Sequence, residues 1–106
     1  MSQYLNEGWQ AISAEALPTV SSSTQIFANA PTDCQRVLLT LRTAGLTMRF
    51  DAGAATAGAN GHDYPIVASA GTTYEFDLTY DQARSVRAIQ NGGTATGYIT
   101  YFRRGN

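Results

Sequence analysis

From Thr24 onward the apolar residues of this chain recur at every second position, in short runs separated by Gly, Pro, Asn, Asp and Ser. A period of two puts alternate side chains on opposite faces of an extended strand. Between Arg36 and Arg42, Val37, Leu39 and Leu41 share one face, and Arg36, Leu38, Thr40 and Arg42 the other. Leu38 makes the second face partly apolar, which predicts a central strand. Leu46, Met48 and Phe50 alternate with Thr47, Arg49 and Asp51, the cleanest inside/outside pattern in the chain. The tight Thr43-Ala44-Gly45 connection predicts that these two runs form a hairpin. Tyr74, Phe76, Leu78 and Tyr80 alternate with Glu75, Asp77 and Thr79, followed by a short connection at Asp81-Gln82-Ala83. Runs at Ser85–Gln90 and Thr96–Phe102 flank Asn91-Gly92-Gly93, a second hairpin signal. In the last run Tyr98, Thr100 and Phe102 lie on one face and Ile99 and Tyr101 on the other, so it is central or lies beneath a partner. Gln25-Ile26-Phe27-Ala28 and Tyr64–Ser69 add shorter strands. The sum is seven or eight short strands with turns roughly every 8–12 residues, which predicts an all-β chain folded as an antiparallel sandwich or small barrel.

Residues 1–24 differ from this pattern. Leu5, Trp9 and Ile12 have helical spacing, while Trp9-Gln10-Ala11-Ile12-Ser13 reads equally as a short strand. Pro18 interrupts either choice, and Ser21-Ser22-Ser23-Thr24 is a turn-like polar run. The expectation is an N-terminal arm and lead-in over 1–24, followed by a β-sandwich domain over 25–106, with any helix confined to the arm.

A chain of 106 residues fits one domain, and its 43% hydrophobic residues supply one modest core. Charged residues are only 14%, against roughly 25% in an average globular chain. The surface is therefore rich in small and neutral polar groups, which suits a protein packed against partners. Net charge is −1 and there is no Lys. The Arg residues are scattered and form no basic stripe, so nucleic acid is not an expected partner. Cys34 is the only cysteine. It permits no internal disulfide and no Cys-rich metal site, and reads as a small buried hydrophobe. No run resembles a signal peptide or approaches the roughly 20 apolar residues of a membrane span, so synthesis in a cytoplasm and no membrane partner are expected.

Catalytic constellations are not found. His62, the sole histidine, sits beside Asn60, Gly61 and Asp63 in a loop over 52–63 that holds three Gly and five Ala. It reads as a solvated loop histidine, not as the base of a Ser–His–Asp set. Glu75 and Asp77 share a strand face directed away from the aromatic stripe, so they read as solvated or paired across strands with Arg84 or Arg87. No catalytic residue, cofactor or metal is expected, and the chain is not expected to be an enzyme. Partner contacts fall instead on Tyr4, Leu5 and Trp9 of the arm, on Asn60 and His62 of the long loop, and on Arg103 and Arg104, read as a frayed basic tail able to meet an acidic partner.

Several segments, taken together, resemble small structural proteins of tailed phages. They are Arg36-Val37-Leu38-Leu39-Thr40-Leu41, Leu46-Thr47-Met48-Arg49-Phe50-Asp51-Ala52-Gly53, Ala54, Thr56 and Ala57 with Gly61-His62, Val86-Arg87-Ala88-Ile89 with Gly92-Gly93-Thr94-Ala95-Thr96, and Tyr98-Ile99-Thr100-Tyr101-Phe102. The Asp and Gly that adjoin in the family's turn are separated here by Ala52. The resemblance implies a jelly-roll-like sandwich and a place in the virion. It implies capsid decoration, or cement: binding the outer surface of the shell, with the major capsid protein or another virion protein as partner and a homo-oligomer, dimer or trimer, as the working unit. A tail, baseplate or head-fibre component is the alternative setting, and a carbohydrate-binding module with an aromatic platform is the alternative class.

Overall fold

The computed structural model describes residues 8–20, 24–53, 64–66 and 72–104. These form β1 (Trp9–Ala16), β2 (Thr24–Gln25), β3 (Arg36–Thr43), β4 (Leu46–Arg49), β5 (Tyr64–Ile66), β6 (Thr72–Phe76), α1 (Tyr80–Arg84), β7 (Arg87–Gln90) and β8 (Thr96–Arg104). One sheet has the order β1-β8-β3-β6 and the other β2-β7-β4-β5. Every pairing is antiparallel.

This order has a simple origin. β1 pairs with β8, β2 with β7, β3 with β6 and β4 with β5. That is one long hairpin with its bend between β4 and β5. Rolling the doubled ribbon up brings β8 against β3 and β7 against β4 and closes the two sheets. The result is the jelly-roll form of the sandwich.

Alternation decides what lies between the sheets. Val37, Leu39 and Leu41 of β3 meet Ile99 and Tyr101 of β8 on the inner side of one sheet. Leu46 and Met48 of β4 and Ala88 of β7 line the other. Val20, Ile26, Phe27 and Val86 fill the space between, and the Phe27 ring stands edge-on to Tyr101 at 6.4 Å. As expected, β3 and β8 are the central pair of their sheet.

Several local expectations are corrected. The Thr43-Ala44-Gly45 and Asn91-Gly92-Gly93 turns are not hairpins, because each carries the chain from one sheet to the other. The apolar faces of β3 and β4 both point into one core, so the strands must sit across it from each other. Ala44 adopts φ +57° at one crossing, and Gly92 and Gly93 adopt φ +76° and +110° at the other. The crossings are tied together: Asn91 N donates to Gly45 O at 2.9 Å, and Thr43 Oγ1 to Thr94 O at 2.8 Å. Thr47, read as an outward residue, is fully buried beside them, where its hydroxyl donates to Asn91 Oδ1 at 2.8 Å.

The second correction concerns the arm, where of the two readings of Trp9–Ser13 the strand holds and the helix does not. Trp9–Ala16 is an edge strand, held on β8 from Trp9↔Arg104 to Ala16↔Tyr98. A bulge between Ala11 and Ser13, with the small side chains of Ala11, Ala14 and Ala16, blurs its period in the sequence. Third, Arg103 and Arg104 are the end of β8, opposite Gln10 and Trp9, and not a frayed tail. Fourth, the strand expected over 25–28 is only Thr24–Gln25, after which Ile26 and Phe27 turn into the core. Fifth, among the described residues the helix lies outside the arm, at Tyr80–Arg84. Thr79 caps α1, accepting from Gln82 N while Gln82 Oε1 accepts from Thr79 N, and Ala83 anchors the turn in the core. Replacing Thr79 with alanine is expected to cost about 1 kcal/mol, read as a lower urea midpoint at unchanged slope.

Candidate binding surface

The outer face of the β1-β8-β3-β6 sheet is built in rows across the strands. Ala11, Phe102 and Arg36 form one row, followed by Ala14, Thr100, Leu38 and Glu75, and then Ala16, Tyr98, Thr40 and Thr73. The hydroxyls of Thr40 and Thr73 hydrogen-bond at 2.9 Å, and those of Thr43 and Thr96 at 2.8 Å. The hydroxyls of each pair satisfy each other, and alanine methyl groups, Leu38 and Thr100 make up much of the rest of the face. Tyr98 stands out of it, 56% exposed, with the Arg42 guanidinium 5.9 Å from its ring centroid. It is the exposed large apolar side chain among the described residues.

Trp9 sits at the opposite end of the same face, where the strand pairing brings charges onto it. The Arg36 guanidinium lies 4.0 Å from its ring centroid and that of Arg104 4.6 Å. Arg36 is itself held by Asp77 at 2.7 Å and Glu75 at 3.4 Å. Glu75 and Asp77 thus meet Arg36 on the neighbouring strand rather than Arg84 or Arg87. Trp9 is 8% exposed, so its area is spent within the chain. Cation–π pairs of this kind contribute roughly 0.5–2 kcal/mol.

Beyond that end lies an open cleft of about 490 Å³, lined among others by Asp33, Cys34, Gln35, Tyr80, Asp81 and Arg103. Its charges are largely engaged: Arg103 Nη1 bridges to Asp33 at 2.6 Å, and Gln35 Oε1 accepts from Arg104 N at 2.6 Å. Cys34 is buried, and its thiol donates to Leu78 O at 3.5 Å. Burial pushes the thiol pKa up, which keeps it protonated and a poor nucleophile at neutral pH. No group of three His, Cys, Asp or Glu able to hold a metal occurs among the described residues. No helix among them is long and apolar enough to cross a membrane. At the start of the Gly/Ala loop, the hydrogen bond from Arg49 holds the Asp51 carboxyl down at about 2, aided by the backbone N–H of Gly53.

Of the residues singled out in the sequence, Tyr4, Leu5, Asn60 and His62 lie outside the described residues. Trp9, Arg103 and Arg104 converge on one end of the sheet, joined there by Arg36, which sequence reasoning did not connect to them. Tyr98 was visible only as bulk on the second face of a central strand, and the sheet order now sets it on the outside. Comparison with known family models, with curated proteins and with solved structures yields no match.

Proposed function

We propose that this chain is a structural protein of a phage particle, a decoration or cement module that lies on the outer surface of the shell and stabilises it. The observation that carries the reading is the flat outer face of the β1-β8-β3-β6 sheet. It presents Ala11, Ala14, Ala16, Thr40, Thr73 and Thr100 around one exposed aromatic, Tyr98. Such a face approaches another protein closely at modest desolvation cost, because the Thr40 and Thr73 hydroxyls already bond each other and its charges lie at the margins. Tyr98 is the anchor, with the apolar area and polar tip typical of interface hot spots. Repetition over a symmetric shell then multiplies a modest single-site affinity.

The test is binding of purified protein to purified shells. Tyr98→Ala is expected to weaken binding about tenfold or more, corresponding to about 1.4 kcal/mol. Binding equal to that of the unaltered protein would overturn the assignment of this face. Copy number per particle separates shell decoration, with many copies, from a tail or baseplate part, with few. The same exposed Tyr98 beside threonine hydroxyls favours one second reading, a carbohydrate-binding module. A glycan array that retains sugar binding only with Tyr98 intact would replace the first reading with it.

A further inference from the structure

The free edge of β1 carries an inference of its own. Four strands sit at sheet edges: β2 has two residues, β5 has three and contains Pro65, and β6 carries Glu75 on its outer face, whereas β1 runs for eight residues. Natural edges are blunted by Lys, Pro, charges or shortness. β1 has no Lys, Arg or Pro. Its one charge, Glu15, is turned inward and held by Tyr101 and Asn29. No other described strand pairs with its far side.

The bulge gives this edge a second property. Trp9, Ala11, Ala14 and Ala16 pair with Arg104, Phe102, Thr100 and Tyr98 and face outward. Gln10, Ser13 and Glu15 pair with Arg103, Tyr101 and Ile99 and face inward, and Ile12 packs on the core. Read along the strand, the order is out, in, out, in, in, out, in, out. That order is the same from either end. An unbulged eight-residue strand alternates strictly, and matching it to its own reverse over full length would set outward residues against inward ones. With the bulge, full antiparallel overlap matches every pair: Trp9 with Ala16, Gln10 with Glu15, Ala11 with Ala14, and Ile12 with Ser13.

We infer that β1 pairs with β1 of a second copy about a two-fold axis between Ile12 and Ser13, joining two four-stranded sheets into one of eight. The facing side chains complement each other. Only methyl groups meet at Ala11 and Ala14, so the backbones can close to ladder distance. Gln10 Oε1 accepts from Arg103 Nε at 3.4 Å, which leaves the Gln10 amide donors for the Glu15 carboxylate of the other copy. Such an interface is isologous and closes at two copies, so it yields a dimer and not a fibre. A strand from an unrelated protein would lack this built-in match.

The pairing needs no shell, so it stands or falls separately from shell binding. Sedimentation equilibrium of the full chain over a wide concentration range reads it. The unaltered protein is expected to be a monomer–dimer system, with β1 amides gaining hydrogen-exchange protection as concentration rises. The Ala11→Lys/Ala14→Lys double variant sets lysine against lysine twice across the axis and is expected to be monomeric. Ala11→Lys/Ala14→Glu sets lysine against glutamate and is expected to restore the dimer. Far-UV circular dichroism confirms that each variant is folded, and the exchange measurement on the unaltered chain decides the matter if one is not. A monomer at all concentrations, a trimer, a dimer indifferent to lysine at both sites, or a folded Lys/Glu variant that stays monomeric would each overturn the inference.

Discussion

Replacing Gly97 with alanine is expected to lower stability by about 3 kcal/mol or more, a large effect for the addition of one methyl group. Gly97 lies in β8 opposite Leu41 of β3, and a Cβ placed on it would collide with Thr40 O and stand 3.2 Å from Leu41 Cα. Those are backbone atoms of the central strand pair, so no rotamer change relieves the clash. Relief requires β8 and β3 to separate, in the row that carries Thr40 and Tyr98. A melting temperature lower by on the order of 10–20 °C is expected in calorimetry. A shift of only one or two degrees would show that the two backbones are not so close in solution. The variant also tests the surface: shell binding should fall together with stability, because the flat face is made by these two strands.

Removing the Tyr101 hydroxyl, as in Tyr101→Phe, is expected to cost about 2 kcal/mol. Tyr101 is fully buried, and its hydroxyl donates to Glu15 Oε2 at 2.5 Å. Burial first, and the Glu15 carboxylate second, push the phenol pKa well above its usual range, so the group remains a donor throughout the physiological range. The bond ties the central strand to the edge strand beside it, and Asn29 Nδ2 braces the same carboxylate at 2.9 Å. Phenylalanine keeps the packing against Phe27 and deletes only the donor. Urea unfolding of Tyr101→Phe, Glu15→Gln and the double variant gives the coupling: the double should cost clearly less than the sum of the singles. Strict additivity would mean that the two groups do not act on each other.

Much of the sandwich could be read from residues whose alternation carries contrast. Val37, Leu39 and Leu41 against Arg36, Thr40 and Arg42 announce a strand, and Leu38, Tyr98 and Phe102 on the second faces announce its central position. β1 was legible only as one of two alternatives at Trp9–Ser13, for the opposite reason. Ala11, Ser13, Ala14 and Ala16 offer no contrast between faces, and the bulge breaks the period at Ile12. The crossings at Ala44-Gly45 and Gly92-Gly93 were legible as reversals, but a turn sequence does not say into which sheet the chain returns. α1 left a trace in Thr79 and Gln82, a capping pair, yet Tyr80 continued the alternation of Tyr74, Phe76 and Leu78 and was absorbed into a strand. The candidate surface was the least legible part, because it depends on pairings between distant segments. Trp9 looks free until Arg36 and Arg104 are brought onto it, and Tyr98 looks internal until the order of the strands is known.

The doubled-hairpin order has a consequence for how the chain is made. β1 leaves the ribosome first among the described strands, and its partner β8 comes last. At the roughly 5–20 residues per second of translation, the wait is on the order of ten seconds. During it the alanine-rich edge is open on both sides, with neither β8 nor a second copy in place. Pairing of β1 with β8 closes a long separation, so it comes late in folding. The near absence of contrast in β1, which blurs it in the sequence, also limits its large apolar side chains to Trp9 and Ile12 while it waits.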